Sequence, residues 1–481
     1  MAFVRDPRRA ALGCAAVLLT ALLLWFGTGL TPWWPLLWFA PLPVLLFAAD
    51  ARAVTAALAA GGAWFLGSLN VWHHFVGVLS VPVGAAIGNG IALSVVFALA
   101  VLLFRALLRR GAYVAATLAL PAMWVAFEYV VSLTSPHGTG GNLAYSQLAF
   151  LPFLQLASLT GVWGLTFVVL LFPSALAVAW SLSRTGSRNA WRVLAATGAV
   201  LVAVFAFGFV RLAEPIPGTS AKIGLVASDG PNEDVADEGA PTQRLFAAYA
   251  EPIARLAAGG AEAVVIPEKL GVDTPEAATA DAVFQPLADR TGATIVAGMV
   301  AVEPPHRFNE ARIYRPRATA QRYDKKHMLP PFESKLTPGT TLVTLPRDEG
   351  SWGIAICKDM DFPTPARDYG KAGSGLLLVP GWDFFDDWIQ HGHMAILRGV
   401  EYGFGVARAA KGGSLYVSDN RGRILAETKS DAAPFATLLA QVPDTHEPTL
   451  YLRWGDWFAY VSFALLALAI ARLFVGGRRP I

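Results

Sequence analysis

The chain has 481 residues, room for about three average domains, but 54% of them are hydrophobic and only 15% charged, with a mean hydropathy of +0.47. That balance excludes an ordinary soluble globule and points to a membrane protein with one large polar insert. A formal net charge of +3 would suit an acidic partner only if the basic residues clustered on one surface.

Apolar runs at 11–30, 32–49, 53–80, 82–108, 112–133, 161–182 and 192–212 approach or exceed the ~20 residues that cross a bilayer, and an eighth runs from Trp457 to Val475. Arg5, Arg8, Arg9, Arg52, Arg105, Arg109, Arg110, Arg184, Arg188, Arg192, Arg472, Arg478 and Arg479 fall at alternate ends of these eight spans. The short loops at the opposite ends hold no Lys or Arg, which makes both termini cytoplasmic and puts the insert on the other side of the membrane. With those arginines set aside, and Asp6, Asp50, Glu128 and Asp456 too, the rest of the chain is net acidic. Nucleic acid is therefore not an expected partner. The first span follows a basic start, but its apolar run is long and Cys14 lies near its start instead of following it, so it reads as a retained helix with an inert thiol. Glu128 is the carboxylate set well inside a span; a functional or paired group and a helix-end carboxylate near the interface both fit it. The prolines around Trp33, Trp34 and Trp38 fit an interfacial or broken helix as well as a clean crossing.

The expected organisation is a membrane domain of seven helices over 1–213, a soluble domain over 214–455, and an eighth helix with a cytoplasmic tail over 456–481. Within the insert, Ala221 to Ser228, Ala263 to Pro267, Ala293 to Val300, Thr341 to Leu345, Trp352 to Ile356 and Gly375 to Val379 read as short buried strands. Thr242 to Ala258 and Thr274 to Thr291 carry helical periodicity between them. Alternating strands and helices make the class α/β or a layered mixture.

Three strand ends in the insert carry reactive groups. They are Val264-Val265-Ile266-Pro267-Glu268, Tyr323-Asp324-Lys325-Lys326-His327 and Ile354-Ala355-Ile356-Cys357. Cys14 and Cys357 lie in segments of different character, so no disulfide is expected and Cys357 is a free thiol. A lone free cysteine is most often a small buried hydrophobe. Beside a glutamate that can take its proton and a lysine that can hold an oxyanion, it becomes a candidate nucleophile for acyl transfer. His391 and His393, with Asp386 and Asp387 nearby, raise the question of a metal, but a helix does not bring i and i+2 onto one face, and no metal is expected. Trp382, Phe384, Phe385 and Trp388 form an aromatic cluster that fits either core or a lipid-facing loop.

Pro267-Glu268, Tyr323-x-Lys325-x-His327 and the strand ending in Cys357 resemble, in order and separation, the nitrilase superfamily. Gln390-His391 with Met394-Ala395, Arg398 and Glu401 resembles that superfamily's helix after the nucleophile, and Asp419 to Ala426 its late hairpin. Trp124 to Glu128, Tyr145-Ser146-Gln147, Gly161 to Leu165 and Gly455 to Phe458 are similar to the membrane-embedded branch, the apolipoprotein N-acyltransferase family. The resemblance implies eight spans and an extracytoplasmic α-β-β-α sandwich in the bacterial inner membrane. It implies Glu268 as general base, Lys325 as oxyanion stabiliser, Cys357 as nucleophile and Glu333 as a supporting glutamate. It further implies a phospholipid acyl donor, a diacylated apolipoprotein acceptor and no cofactor, and a monomer is the expected working unit. A membrane-tethered amidase or nitrilase and a non-catalytic lipid-binding relative are the alternatives. The chain departs from the family pattern at Ile266, at Pro331-Phe332-Glu333-Ser334, and at Lys358-Asp359, where the family usually has Tyr-Glu.

Overall fold

The computed structural model describes residues 7–229 and 240–475; Arg5, Asp6, Arg478 and Arg479 of the topology reading lie outside them. The chain divides into two compact units. One takes in the described residues up to Leu133, Gly141–Val210 and those from Trp454 onward; the other takes in Thr134–Gly140 and Arg211–Arg453.

In the first unit, Pro7–Gly27, Ala53–Val71, Val83–Arg109, Tyr113–Thr134, Val162–Ser183 and Asn189–Ala213 are helices long and apolar enough to cross a membrane. The expected span at 32–49 is instead two short helices, Trp34–Leu37 and Leu42–Asp50. Pro35, Pro41 and Pro43 lack the N–H that a continuous helix needs, so the chain restarts at each break. The freed backbone is satisfied internally, because Gln147 Nε2 donates to Trp34 O at 3.2 Å while its Oε1 accepts from Trp38 Nε1 at 2.9 Å. The expected span at 53–80 is regular only to Ser68, after which tighter and wider turns carry the chain to Val78. The last helix, Trp457–Ala471, is shorter than its apolar run.

The membrane motifs interlock. Trp163 Nε1 donates to Asp456 at 2.8 Å and Trp457 Nε1 to Leu159 O at 2.8 Å, tying the Gly161 segment to the start of the last helix. Glu128 is buried and accepts from Trp124 Nε1 at 3.0 Å and Leu143 N at 2.8 Å, so its carboxylate turns into the unit.

The described residues of the second unit form thirteen strands: β1 Ser220–Ala227, β2 Ala263–Val265, β3 Val272–Asp273, β4 Thr294–Glu303, β5 His306–Tyr314, β6 Gln321–Asp324, β7 Thr344–Pro346, β8 Ser351–Ile354, β9 Ser374–Trp382, β10 Gly405–Lys411, β11 Ser414–Ser418, β12 Ile424–Lys429 and β13 Ala436–Pro443. They form two mixed sheets, β13-β1-β2-β4-β5-β6 with β3 beside β4, and β12-β11-β10-β9-β8-β7. β1, β2 and β4 run parallel, as do β8, β9 and β10. Ile223, Leu225, Val265 and Val296 of the first sheet share one core with Ile354, Leu376, Leu378 and Val417 of the second. Side chains alternate along each strand, so Val226, Val264, Ile295 and Ala297 face the other way, onto Phe246, Tyr249, Phe284 and Leu287 of helices Ala240–Ala258 and Thr279–Thr291. Helices Pro363–Lys371 and Gln390–Tyr402 lie against the second sheet. The result is an α-β-β-α sandwich, as the resemblance implies.

The helix expected from Thr274 begins at Thr279, because the Asp273 carboxylate takes the amides of Thr279 at 2.8 Å and Ala280 at 3.3 Å and caps it there.

Candidate active site

In sheets built on parallel strands, ligand sites gather at the carboxyl ends. β2 ends three residues before Glu268, β6 immediately before Lys325, β8 three residues before Cys357, and β9 at Trp382. All four ends meet. Glu268 N donates to Gly381 O at 3.3 Å, and the Cys357 thiol points at Trp382 O at 3.5 Å, so consecutive carbonyls of β9 hold the glutamate and the cysteine. Gly298 of β4 makes this possible on the glutamate side. A Cβ there would lie 2.2 Å from Pro267 O and 2.6 Å from Glu268 Cα.

Glu268, Lys325 and Glu333 are buried and directly paired. Lys325 Nζ donates to Glu268 Oε1 and to Glu333 Oε2, both at 2.8 Å. Asn309 Nδ2 donates to the same Glu268 oxygen at 2.5 Å and to Glu333 at 2.7 Å, and Lys269 Nζ adds a 2.7 Å bond to Glu333. Two carboxylates thus face two ammonium groups. Burial would lower the Lys325 pKa, but Glu268 and Glu333 outweigh it and hold the ammonium well above its usual range. Burial likewise opposes ionisation of Glu333, and Lys325 and Lys269 overcome it, keeping the carboxylate charged. Glu268 Oε2, like Asn309 Oδ1, is buried and accepts no hydrogen bond from any described residue. A carboxylate oxygen left open in this way can accept a proton.

Cys357 opens a single tight turn, Cys357–Asp361, with a left-handed φ of 42° that projects its side chain out of line with the strand. Burial, then the Glu268 charge, pushes its thiol up to about 11, against the pull of His391, Lys325 and Arg408. It rests as a thiol within electrostatic reach of Glu268. The strand stops at Ile354 because Asp359 reaches back for the amide of Ile356 at 3.1 Å. The same carboxylate accepts from Tyr323 Oη at 2.7 Å and from the amides of Lys326 at 3.1 Å and His327 at 2.9 Å. Asp359 therefore fixes the cysteine turn to the chain on both sides of Lys325. Lys358 is buried, pairing with Asp361 at 3.1 Å and with His137 Nδ1 at 3.1 Å. Arg398 secures the turn from behind, donating to Met360 O at 3.2 Å and pairing with Glu401.

The aromatic cluster divides. The Trp382 ring lies under Lys411 Nζ at 3.6 Å and near Lys269 Nζ at 5.1 Å, and Trp388 lies under Lys429 at 4.7 Å. Phe384 pairs with Phe332 at 5.4 Å, and Phe332 and Phe385 are 50% and 62% exposed, leaving an apolar lip that the sequence reading did not include Phe332 in. The two histidines also part company. His391 faces Asp361 and Asp383, whereas His393 faces Glu427 and Tyr416. Asn309, Lys269, Asp383 and Arg408 are the site residues sequence reasoning missed. The traceable signal was Arg408, a charged side chain inside the otherwise apolar run of β10; Lys269 and Asp383 lie just beyond strand ends.

A helix-flanked double sheet thus gathers a glutamate, a lysine and a cysteine at its strand ends, in a chain that also carries membrane-length apolar helices. The family described as "Apolipoprotein N-acyltransferase N-terminal domain" matches residues 20–176. The chain is 27% identical over 409 residues to the apolipoprotein N-acyltransferase of Geobacter metallireducens, covering 76% of each chain. It is 25% identical to that of Gloeobacter violaceus, covering 74% of this chain and 71% of the relative. Among solved structures it is similar to an amidase from Nesterenkonia sp., with 21% identity and a TM-score of 0.42 over 52% of this chain and 98% of that one. Over most of its length the chain is thus similar to apolipoprotein N-acyltransferases.

Proposed function

We propose that this protein moves an acyl chain from a membrane phospholipid to the α-amine of the diacylglyceryl-cysteine that begins an apolipoprotein, through a thioester on Cys357. The observation that carries this reading is the open Oε2 of Glu268 in a site where the other charged groups are paired. Glu268 takes the thiol proton and the thiolate attacks the ester carbonyl. Lys325 and the backbone N–H of Lys358 hold the oxyanion, and the protonated glutamate returns its proton to the leaving lysophospholipid. The amine then attacks the thioester, Glu268 takes the amine's proton, and the thiolate leaves. Glu333 holds Lys325 in place, Asp359 holds the nucleophile turn, and Phe332, Phe384 and Phe385 offer an apolar surface for the acyl chain.

The membrane part of the proposal is an eight-span arrangement in the inner membrane of a bacterium, working as a monomer with both termini cytoplasmic and the catalytic domain outside the cytoplasm. The broken helix at 34–50 and the short helix at 457–471 supply the two spans beyond the six long helices. Keeping the thiol close to the bilayer surface gives it both lipid substrates at high local concentration.

The test uses a phospholipid with a tagged acyl chain and a diacylated lipopeptide, with wild type and Cys357→Ala. Tagged thioester on the wild-type protein followed by tagged lipopeptide is the expected result. Thioester that releases only free fatty acid would instead indicate hydrolysis, absence of thioester a non-catalytic relative, and transfer surviving in Cys357→Ala a different nucleophile.

A further inference from the structure

The sulfur of Cys357 has a second charged neighbourhood, built from residues the Glu-Lys-Cys reading does not use. A ring nitrogen of His391, a carboxylate oxygen of Asp383 and Cys357 Sγ all lie within 4.8 Å of one another. His391 Nδ1 is 2.9 Å from Asp383 Oδ1 and 4.0 Å from Asp387, and its Nε2 is 3.4 Å from Asp361 Oδ1. Both ring nitrogens thus face carboxylate oxygens. A neutral imidazole would turn a lone pair against one of them, whereas an imidazolium donates to both. Charge agrees with geometry. Asp361, Asp383 and Asp387 are offset by two cations, Lys358 on Asp361 at 3.1 Å and Arg408 on Asp383 at 2.6 Å, so the cluster balances when His391 carries its second proton. Burial would strip that proton, but Asp361 and Asp383 hold it well above the usual histidine range. Burial of Asp383 is likewise overcome, chiefly by Arg408, which brings its carboxyl to about 2.

We propose that His391, oriented by Asp383 and Asp361, is the cationic partner of the Cys357 thiolate in acyl transfer. This rests on Cys357 being the nucleophile. In the first half-reaction the thiol proton goes to Glu268, the S–C bond forms as the ester C–O bond breaks, and the proton follows the departing alkoxide. In the second, the C–N bond forms as the S–C bond breaks, with the amine proton taken by Glu268. Negative charge sits on sulfur after Glu268 takes the thiol proton, and again when the thioester opens, each time facing His391, which keeps its own proton; Glu268 then returns the amine's proton to sulfur and restores the thiol. Protonated Glu268 is neutral, so the positive counter-charge to the thiolate has to come from a cation such as His391. A cysteine, a histidine and an aspartate so close would also suit a soft divalent cation. Here Arg408 takes both oxygens of Asp383 at 2.6 and 2.7 Å and brings a positive charge to the same spot, which favours an anionic sulfur over a bound metal.

The test is the pH profile of Cys357 alkylation by iodoacetamide in the full-length protein in detergent, with Cys14 replaced by serine so that one thiol reports. His391→Gln should slow alkylation near neutral pH by about tenfold and move the midpoint upward, while His391→Lys, which keeps a cation, should recover most of the rate. An unchanged profile in His391→Gln, or equal slowing in the Gln and Lys variants, would overturn the proposal. The profile reads the thiol whether or not acyl chains move, so a failure here is distinct from transfer surviving in Cys357→Ala.

Discussion

Asp359→Asn replaces one atom of the pin that joins the cysteine turn to the lysine strand. With the remaining oxygen kept on the amides of Lys326 and His327, the new NH2 meets Tyr323 Oη and Ile356 N. The tyrosine hydroxyl can rotate to accept, but the Ile356 amide cannot. One hydrogen bond to a charged acceptor, about 1.5–3 kcal/mol, is lost, and a buried donor left unpaired costs about 1–3 kcal/mol more. A destabilisation of about 3–5 kcal/mol corresponds, for a domain of this size, to a drop of roughly 10 °C in the unfolding midpoint. Because Asp359 sets Cys357 relative to Lys325, thioester formation should fall further than stability alone accounts for, by about 100-fold below the melting range. Tryptophan fluorescence melting in detergent and acyl loading from a tagged phospholipid measure the two effects. Tyr323→Phe, which removes one neutral donor, should cost about 1 kcal/mol and leave loading within a few fold. An Asp359→Asn protein that melts and loads like wild type would refute the pinning role.

Glu268→Gln should abolish transfer and yet lower the midpoint of Cys357 alkylation, since the Glu268 charge is one of the forces holding the thiol up near 11; an alkylation midpoint that rises would contradict this assignment. Gly298→Ala should cut acyl loading by at least tenfold, because a Cβ placed 2.2 Å from Pro267 O forces the Glu268 turn to move, and loading at the wild-type rate would show the contact to be tolerated. Replacing both Phe332 and Phe385 by serine should reduce loading from phospholipid vesicles severalfold while sparing loading from a short water-soluble thioester; equal effects on the two donors would remove the lipid-contact role.

Of the candidate residues, Glu268 and Cys357 were legible because each follows an apolar run that changes abruptly to charge, whereas Lys325 follows the polar strand Gln321–Asp324. Their supports were not, because pairing in space joins positions far apart in the chain. Asn309 is 41 residues from the glutamate it touches, and Arg408 is 25 from Asp383. Strand β10, with Arg408 and Lys411 in a fully buried run, hides its character for the same reason: its arginine is neutralised by a partner on β9's far end. The spacing of His391 and His393 correctly separated their directions, but it could not show that Asp361, rather than the nearer-lying Asp386, would face the first of them. Lys358-Asp359 read as a departure from the family's usual Tyr-Glu, at positions that either line the acyl pocket or order the nucleophile. In the structure both side chains turn inward, and a carboxylate still stands at the second position, so that departure falls within the scaffolding of the cysteine turn. In the membrane unit, apolar length identified the long helices and the prolines near Trp34 allowed a broken one, but the partner that satisfies Trp34 O, Gln147, lies more than a hundred positions away.

The end of β9 offers its Gly381 carbonyl to the amide of Glu268 and its Trp382 carbonyl to the thiol of Cys357, and the same chain runs on directly into Phe384 and Phe385. The exposed aromatic stretch and the two carbonyls that hold Glu268 and Cys357 are thus one unbroken length of backbone, with no other element between them.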